Sequence, residues 1–439
     1  MKSNRTGNEG QGQFLSPDLE SQLDPRQPLY KLAKRIPWEE FEKEFGLHYS
    51  REGRPAKPIR LMVSLLILKQ MYQLGDRTVV ANWVINPYWQ YLSGEKVFQW
   101  ELPVEPSDLV HFRNRIGVMG MEKVLQVSIG LHGQRSQEEE VVIDTTVQEK
   151  AITYPTDSKM HVKIINRCQK AARRERVELR QSYARTVGRL VRQLRFGQRP
   201  ENRKRARRAA RKLKTIAGRL VRELERKLKP GRLKKYEGDL QLYGRVLKQK
   251  KDDRNKIYSL HEPEVACLSK GKEYKKYEFG SKASVGLTAQ SGIIVAAVNF
   301  AGSPYDGHTL DETLNQTQRL TGKRPEKAIV DRGYRGRKWV EETEIMTPEK
   351  GTGKSRYHQQ LMRRRFRRRA GIEPIIGHLK HRFKLHRNWL KGSIGDQINL
   401  LLAAAAFNFT KWMNLLVSFC ALIKNLLWDN LFLSPYARI

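Results

Sequence analysis

A single stretch of strongly basic chain, residues 166–260, limits what this 439-residue sequence can fold into. The stretch holds 33 Lys and Arg against 9 Asp and Glu, a net charge of +24 that is most of the +38 of the whole chain. So many like charges repel one another and are too costly to bury together in one core. We therefore expect this stretch to lie outside the main core as an insertion of its own.

Prolines divide the basic stretch into three pieces, at Pro200 and at Pro230-Gly231. Within each piece apolar residues recur every three or four positions, which predicts amphipathic helices with a basic back. These apolar positions are Val187, Leu190, Val191, Leu194, Leu213, Ile216, Leu220, Leu224, Leu228, Leu240, Tyr243 and Leu247. A solvated helix face would give the same pattern, but a phosphate backbone would relieve the repulsion among the cations. We therefore interpret the stretch as a basic helical insertion that contacts nucleic acid.

The rest of the chain has the composition of a folded protein. Hydrophobic residues make up 39% and aromatic residues 9% of the sequence, which excludes a wholly disordered basic tail. The three cysteines are far apart and form no CxxC pair, which argues against a cysteine zinc site and a disulfide framework. Residues 1–24 are polar and predict a flexible tail without a secretory signal. The apolar region 397–433 has only short charge-free windows, whereas a membrane span needs about 20 apolar residues, so we expect buried helices there.

The region before the basic stretch reads as helical. A buried helix is predicted at 58–74, a break at Gly75, and one or two short helices in 78–92. A glycine turn between helices is compatible with a DNA-binding helix-turn-helix and equally with plain helical packing. Residues 25–135 are therefore predicted to form a helical N-terminal domain.

An α/β pattern surrounds the basic stretch. A β-branched run follows residue 138, and two β runs, 274–290 and 292–302, are joined by a hairpin-like turn. A helix is expected next, then a short strand at 327–336, then one or two further helices leading to the Arg-rich run that starts at 363. This order predicts an α/β fold.

Three isolated acids stand out in this basic frame. Asp144 and Asp331 each follow a short apolar strand, and Glu373 is the only acid between 362 and 391, where 11 Lys and Arg leave a net charge of +10. Taken singly, each acid is explained as well by a strand-end cap or a salt bridge. Together, three carboxylates on a basic α/β frame suggest a site for two Mg²⁺ ions that carries out phosphoryl transfer, because Mg²⁺ prefers hard oxygen ligands.

The motifs around these acids resemble those of the DDE transposases of bacterial insertion sequences, most of all the family numbered five. The resemblance covers about 35–125 and 138–412. Its motifs are VVIDTTVQEKAITYPTDSK, HEPEVACLSKGKEYKKYEFGSKASV, AIVDRGYRG and GIEPIIGHLKHRF. It implies a ribonuclease-H-like catalytic core, divalent metal ions (two Mg²⁺, with Mn²⁺ as a substitute), and cut-and-join chemistry on the ends of the element.

The resemblance also implies residue roles. Asp144, Asp331 and Glu373 would be the catalytic, metal-binding triad. A signature of the related family numbered four, Tyr-(2)-Arg-(3)-Glu-(6)-Lys, falls on Phe366, Arg369, Glu373 and Lys380, so the tyrosine hydroxyl of that signature is missing. Arg369 and Lys380 would hold DNA phosphates, which suits a guanidinium and an ammonium group.

Further basic residues near the glutamate are predicted to bind DNA, because the run is too dense for a mere solvated face: Arg363, Arg364, Arg365 and Lys384. Asp306 and His308, in the segment SPYDGHTL, could touch the site. We interpret Asp306 instead as the carboxylate of a local Asx-type turn.

The predicted organisation is a tail, a helical DNA-binding domain, a split catalytic core, the basic insertion and a C-terminal apolar helix, at 1–24, 25–135, 138–165 with 261–412, 166–260 and 413–439. The predicted partners are double-stranded DNA, as terminal inverted repeats and as target, and a second copy of the chain in a dimer that pairs two ends. The predicted location is the bacterial cytoplasm, at the nucleoid, with no membrane contact. Two alternatives stay open: an inert nucleic-acid-binding protein, which would not cut DNA, and a metal-dependent nuclease, which would not join ends.

Overall fold

The computed structural model describes residues 18–50, 52, 55–250, 252–269, 276–348 and 355–432, with the side chains of 358 and 417–432 left out. The chain divides into two compact units. The first contains 1–149, 282–300 and 304–439, and the second contains 150–281 and 301–303. The mixed α/β class predicted from the sequence is confirmed.

The first unit begins with the helices predicted for this part of the chain. They are α1 (Leu19–Gln22), α2 (Pro28–Arg35), α3 (Trp38–Phe45), α4 (Ile59–Met71), α5 (Asp76–Val84), α6 (Pro87–Leu92) and α7 (Pro106–Gly130). Helix α4 is buried along almost its whole length, and Gly75 is the N-cap of α5, as the glycine break predicts. Two short helices, α5 and α6, follow the break.

The predicted tail is wrong for residues 18–24. Leu19 is 1% exposed within α1, and its amide donates to the carbonyl of Lys96. Leu23 is also buried, and the two leucines pack with Tyr30 in a small apolar cluster. Burial of these leucines against the helical region stabilises a segment whose average composition is polar. The remainder of the predicted tail, 1–17, lies outside the described residues.

A mixed sheet follows in the first unit. Its strands run in the order β4, β3, β1, β5, β7, β6, with bounds β1 (Glu140–Glu149), β3 (Tyr277–Thr288), β4 (Ile294–Phe300), β5 (Lys327–Ile329), β6 (Trp339–Val340) and β7 (Thr343–Met346). The pairs β1–β5 and β5–β7 are parallel, whereas β3–β4 and β6–β7 are antiparallel. The predicted strand after residue 138, the hairpin of β3 and β4, and the short strand at 327 are confirmed.

The segment after residue 336 differs from the prediction. The hairpin of β6 and β7 occupies 339–346, where the sequence was expected to continue only in helices. Val340, Ile345 and Met346 are buried, so this hairpin extends the sheet by burying apolar side chains. The remaining helices of the unit are α12 (Leu310–Thr321), α13 (Arg356–Ala370), α14 (Ile372–Arg382) and α15 (Gly392–Phe432).

The helical region and the sheet share one hydrophobic core. Leu66 of α4, Val142 of β1, Ile294 of β4 and Leu401 of α15 belong to the same buried cluster. The predicted boundary at residue 135 therefore separates helices from strands, but the residues on both sides of it share one hydrophobic core. The apolar region after 397 forms part of α15, and most of its residues up to Phe409 are buried, as expected. In the described part of the chain no helix is long and apolar enough to cross a membrane.

The second unit contains the basic helices. They are α8 (Asp157–Arg174), α9 (Ala184–Leu194), α10 (Pro200–Lys227) and α11 (Pro230–Lys248), and β2 (Ala266–Ser269) pairs antiparallel with the first residues of β3. Pro200 and Pro230 are the first residues of α10 and α11, so the prolines mark helix starts as predicted. The predicted apolar stripe forms the core of this unit. The unit begins at Lys150, ahead of the boundary at 166 that charge alone suggested.

Candidate active site

Asp144 and Asp331 lie on neighbouring parallel strands at matching positions. Val142 of β1 is the register partner of Ile329 of β5. Each aspartate comes two residues later, and residues two apart on a strand point to the same face. The parallel register therefore places the two carboxylates side by side.

Local hydrogen bonds orient each of these carboxylates. Asp144 accepts a hydrogen bond of 2.8 Å from the backbone amide of Thr145. Asp331 is the N-cap of a 3₁₀ turn at Arg332–Tyr334 and accepts a 2.7 Å bond from the amide of Gly333. Both side chains are thereby fixed by the backbone that follows the apolar run.

Arg369 bridges the two aspartates. Its Nη2 lies 3.8 Å from Asp144 Oδ2 and 3.8 Å from Asp331 Oδ2. The Nε of Arg369 is buried and makes no hydrogen bond to any of the described residues. One cationic group thus lies between two acids that would otherwise repel each other.

Glu373 is not brought to the aspartate pair. It is the second residue of α14 and is exposed, although α14 packs against β1. Pro374 lies in the first turn of this helix, and Lys380 lies on the same helix, as predicted. Among the described residues no three Asp, Glu, His or Cys side chains are close enough to hold one metal ion. The assignment of Glu373 to the triad therefore stays a prediction.

The surroundings of the pair fit a divalent cation. Tyr334 is completely buried, and its hydroxyl finds no hydrogen-bond partner in the described part of the chain. Burial raises the pKa of Tyr334 well above its usual value, Asp144, Asp306 and Asp331 raise it further, and the neighbouring side chain of Thr309 lowers it. A protonated hydroxyl without a partner therefore lies near these carboxylates, and carboxylates are hard oxygen ligands of the kind that Mg²⁺ prefers.

The predicted DNA-binding residues have different environments. Arg363 and Arg364 are exposed on α13, whereas Arg365 forms a 2.9 Å ion pair with Glu140 at the start of β1. Lys380 is half-buried. Lys384 donates from Nζ to the carbonyl of Leu74, and burial lowers its pKa. The contacts of Lys384 are those of a residue that fixes the backbone, so we leave it out of the proposed DNA surface.

The interpretation of Asp306 as a local turn acid is wrong. Its Oδ1 accepts hydrogen bonds from Thr145 Oγ1 at 2.7 Å and from Lys282 Nζ at 2.9 Å, both remote in sequence. Sequence reasoning missed this residue as part of the site. The available signal was its place a few residues after the buried strand β4, much as Asp331 follows β5.

Two family models match parts of this chain. Residues 17–115 match the family model described as Transposase domain (DUF772), and residues 246–409 match the model described as Transposase DDE domain. The chain belongs to the DDE transposases of insertion sequences. It is therefore an enzyme that acts on DNA, and members of this family use divalent metal ions.

One curated relative is similar to a large part of the chain. A protein of Rhizobium meliloti described as "Uncharacterized protein ORF8 in nfe locus" is 41% identical over 185 residues, which cover 41% of this chain and 89% of that protein. No solved structure matches the chain. The DDE match contains Asp331 and Glu373 but begins after Asp144, so the place of Asp144 rests on its register beside Asp331.

Proposed function

We propose that this transposase cuts DNA at the ends of its insertion sequence and joins the freed 3′ ends to target DNA. The observation that carries the proposal is the pair of carboxylates, Asp144 and Asp331, on adjacent parallel strands with Arg369 between them. The core would be ribonuclease-H-like, which agrees with a mixed sheet flanked by helices.

Asp144, Asp331 and Glu373 would hold the metal, as two Mg²⁺ ions or Mn²⁺ in their place. When bound, the ions supply Lewis-acid activation of the attacking oxygen and stabilisation of the leaving oxygen. The chain fixes Asp144 and Asp331 through the amides of Thr145 and Gly333 before any ligand binds. This preorganisation is what a site of this kind requires of its protein.

Arg369 would exchange partners during the reaction. In the free protein its guanidinium neutralises the two aspartates at 3.8 Å. With metal bound by those acids, Arg369 would no longer be needed to neutralise them, and its guanidinium would hold a phosphate of the DNA through two N–H groups. Lys380 would add a further charge for the phosphate backbone.

DNA would reach the site along exposed basic surfaces. Arg363 and Arg364 extend the surface on α13, and the basic side chains of α10 provide another surface within the second unit. The helical N-terminal region, which matches a transposase domain, would recognise the terminal inverted repeats. Pairing two ends implies at least a dimer in the working complex. A nucleoid location in the bacterial cytoplasm would follow from these contacts.

Cleavage of a plasmid that carries the two element ends tests this proposal. We expect cuts at the element boundary with Mg²⁺ and none with EDTA, and at least a 100-fold loss of cutting for Asp331→Asn, in line with loss of a main electrostatic contribution. Asp311→Asn is the matched control, because Asp311 is exposed and pairs with Arg337 elsewhere in the first unit. Transfer of a pre-cut 3′ end to a second plasmid separates a transposase from a nuclease. Cuts in EDTA, or full activity of Asp331→Asn, would contradict the proposal.

A further inference from the structure

Asp306 lies beside the aspartate pair and ties three elements of the first unit together. Thr145 of β1 and Lys282 of β3 both donate to its Oδ1, at 2.7 and 2.9 Å. The hydroxyl of Thr309 caps its carbonyl at 2.7 Å. Because the amide of the same Thr145 also donates to Asp144, the position of Asp306 is linked to that of Asp144 through one residue.

The second oxygen of Asp306 faces the other aspartate. A Cβ built on Gly333 would lie 3.1 Å from Asp306 Oδ2 and 2.8 Å from Asp331 Oδ1. Oxygens of two different acids therefore lie close to the same point beside Gly333, where there is no room for a side chain. A methyl group at this position would be closer to an oxygen than real Cβ atoms come.

The buried hydroxyl of Tyr334 provides an independent sign of a ligand. It has no hydrogen-bond partner among the described residues and lies in the field of Asp144, Asp306 and Asp331. A buried donor without a partner costs about 1–3 kcal/mol, so proteins rarely keep one that serves nothing.

The charges of the cluster favour a cation. Three carboxylates, those of Asp144, Asp306 and Asp331, face two basic groups, Arg369 and Lys282. A carboxylate that has one oxygen engaged by donors still has acceptor capacity on the other oxygen.

We propose that Asp306 is a fourth acidic residue of the metal site, and that it contributes through bound water, because no three acids of the described chain lie close enough to coordinate one ion directly. Its Oδ2 and the carboxylate of Asp331 bind a hydrated divalent cation beside Gly333, while Thr145 and Lys282 hold its Oδ1 in place. Mg²⁺ keeps several of its waters in proteins, so contact through water is sufficient for this role. The inference rests on the proposed function, because it adds a residue to the same metal site.

Binding of Mn²⁺ to the full chain without DNA, followed by electron paramagnetic resonance, tests the inference. Asp306→Asn keeps a side-chain oxygen for Thr145 and removes the charge. We expect at least tenfold weaker Mn²⁺ binding for Asp306→Asn and unchanged or tighter binding for Lys282→Met. The double variant Asp306→Asn/Lys282→Met should remain as weak as Asp306→Asn. Recovery of wild-type binding in the double variant would overturn the inference, because it would reduce Asp306 to the partner of a structural salt bridge.

Gly333→Ala is a second variant that leaves every charge in place. Its methyl group displaces the oxygens of Asp306 and Asp331, and we expect weaker Mn²⁺ binding with helix content unchanged by circular dichroism. Asp144→Asn and Asp331→Asn distinguish failure of the Asp306 inference from failure of the proposed function. If these two variants weaken Mn²⁺ binding and Asp306→Asn does not, Asp306 is not part of the metal site and the proposed function stands. If none of these variants changes binding, both the metal site and the inference fail.

Discussion

Two arginine-rich helices, α13 of the first unit and α10 of the second, share a composition and differ in what their charges contact. On α13, Arg365 pairs with Glu140 and Arg369 lies between Asp144 and Asp331. On α10 the basic side chains are exposed from Arg203 to Lys227. Arginine therefore contacts nearby acids on α13 and faces solvent on α10.

The difference follows from what each helix packs against. Helix α13 packs against β5, next to the strand that carries Glu140 and Asp144, so its inward arginines meet acids. Helix α10 packs its apolar stripe against α8, α9 and α11, whose own exposed faces are also basic. Charge count alone cannot separate a helix that shapes an active site from one that attracts a polyanion. The partners of each side chain do so.

Removing Arg369, the arginine that lies between two aspartates, should have the largest effect on activity. We expect Arg369→Gln to lower the rate of cleavage at saturating DNA by about 100-fold, the usual cost of removing one donor to developing negative charge. DNA affinity should change far less, because many other phosphate contacts remain. Single-turnover cleavage and a binding titration measure the two effects. Arg337→Gln, which alters an exposed arginine paired with Asp311, is the control. An equal loss of affinity and rate would show that Arg369 is only one more surface charge.

Removing exposed arginines from α10 should have a smaller effect, which should be similar for specific and unrelated DNA. The triple variant Arg207→Gln, Arg208→Gln and Arg211→Gln takes three exposed charges from α10. If all three contact phosphates, the slope of log K against log salt should fall by about 3 in magnitude, at about 0.9 per contact. Affinity for specific and unrelated DNA should fall alike. The matched triple Arg→Lys variant keeps the charges and should keep the slope. An unchanged slope in the Gln variant would mean that this face of α10 contacts no DNA.

Periodic features of this molecule could be predicted from its sequence. The apolar stripe of α10 has helical spacing over four turns, so residues such as Leu213 and Leu224 are buried as predicted. The β-branched run around Asp144 and the apolar run before Asp331 likewise predicted strands β1 and β5. The hairpin of β6 and β7 was missed because strands of two and four residues are too short to show a period.

The parts of the site that depend on remote partners could not be predicted. Asp306 contacts Thr145 and Lys282, which are 161 and 24 residues away in the chain. The position of Arg369 between two aspartates depends on the parallel register of β1 and β5, which no local pattern encodes. The family resemblance supplied the acids and the arginine, but their mutual contacts came only from the fold.

The smallest expected effect concerns a buried histidine that lies near the basic side chains of the second unit. His161 of α8 is buried, and its Nδ1 has no hydrogen-bond partner in the described chain. Its pKa is lowered to about 4, mainly by burial, with a raising effect of Asp157 and lowering effects of the nearby charges of Lys214 and Lys256. The positive charge of α10, which carries Lys214, thus acts within the second unit as well as on its surface. The neutral form of this histidine is the one that the folded unit accepts.

Acid should therefore destabilise the second unit through His161. An unfolded histidine takes up its proton near pH 6.5, well above the pKa of about 4 in the folded chain, so the contribution is complete above pH 6.5 and is lost as the pH falls toward 4. We expect a loss of roughly 1–2 kcal/mol, less than the full shift would give because solvent screens part of the effect. All eight tryptophans lie in the first unit, so circular dichroism at 222 nm, and not tryptophan fluorescence, should report this transition in urea. His161→Leu should flatten the pH dependence, whereas His308→Gln, at an exposed position of the first unit, should leave it unchanged. An identical pH dependence in His161→Leu and the wild type would show that His161 is not the source of the acid sensitivity of the second unit.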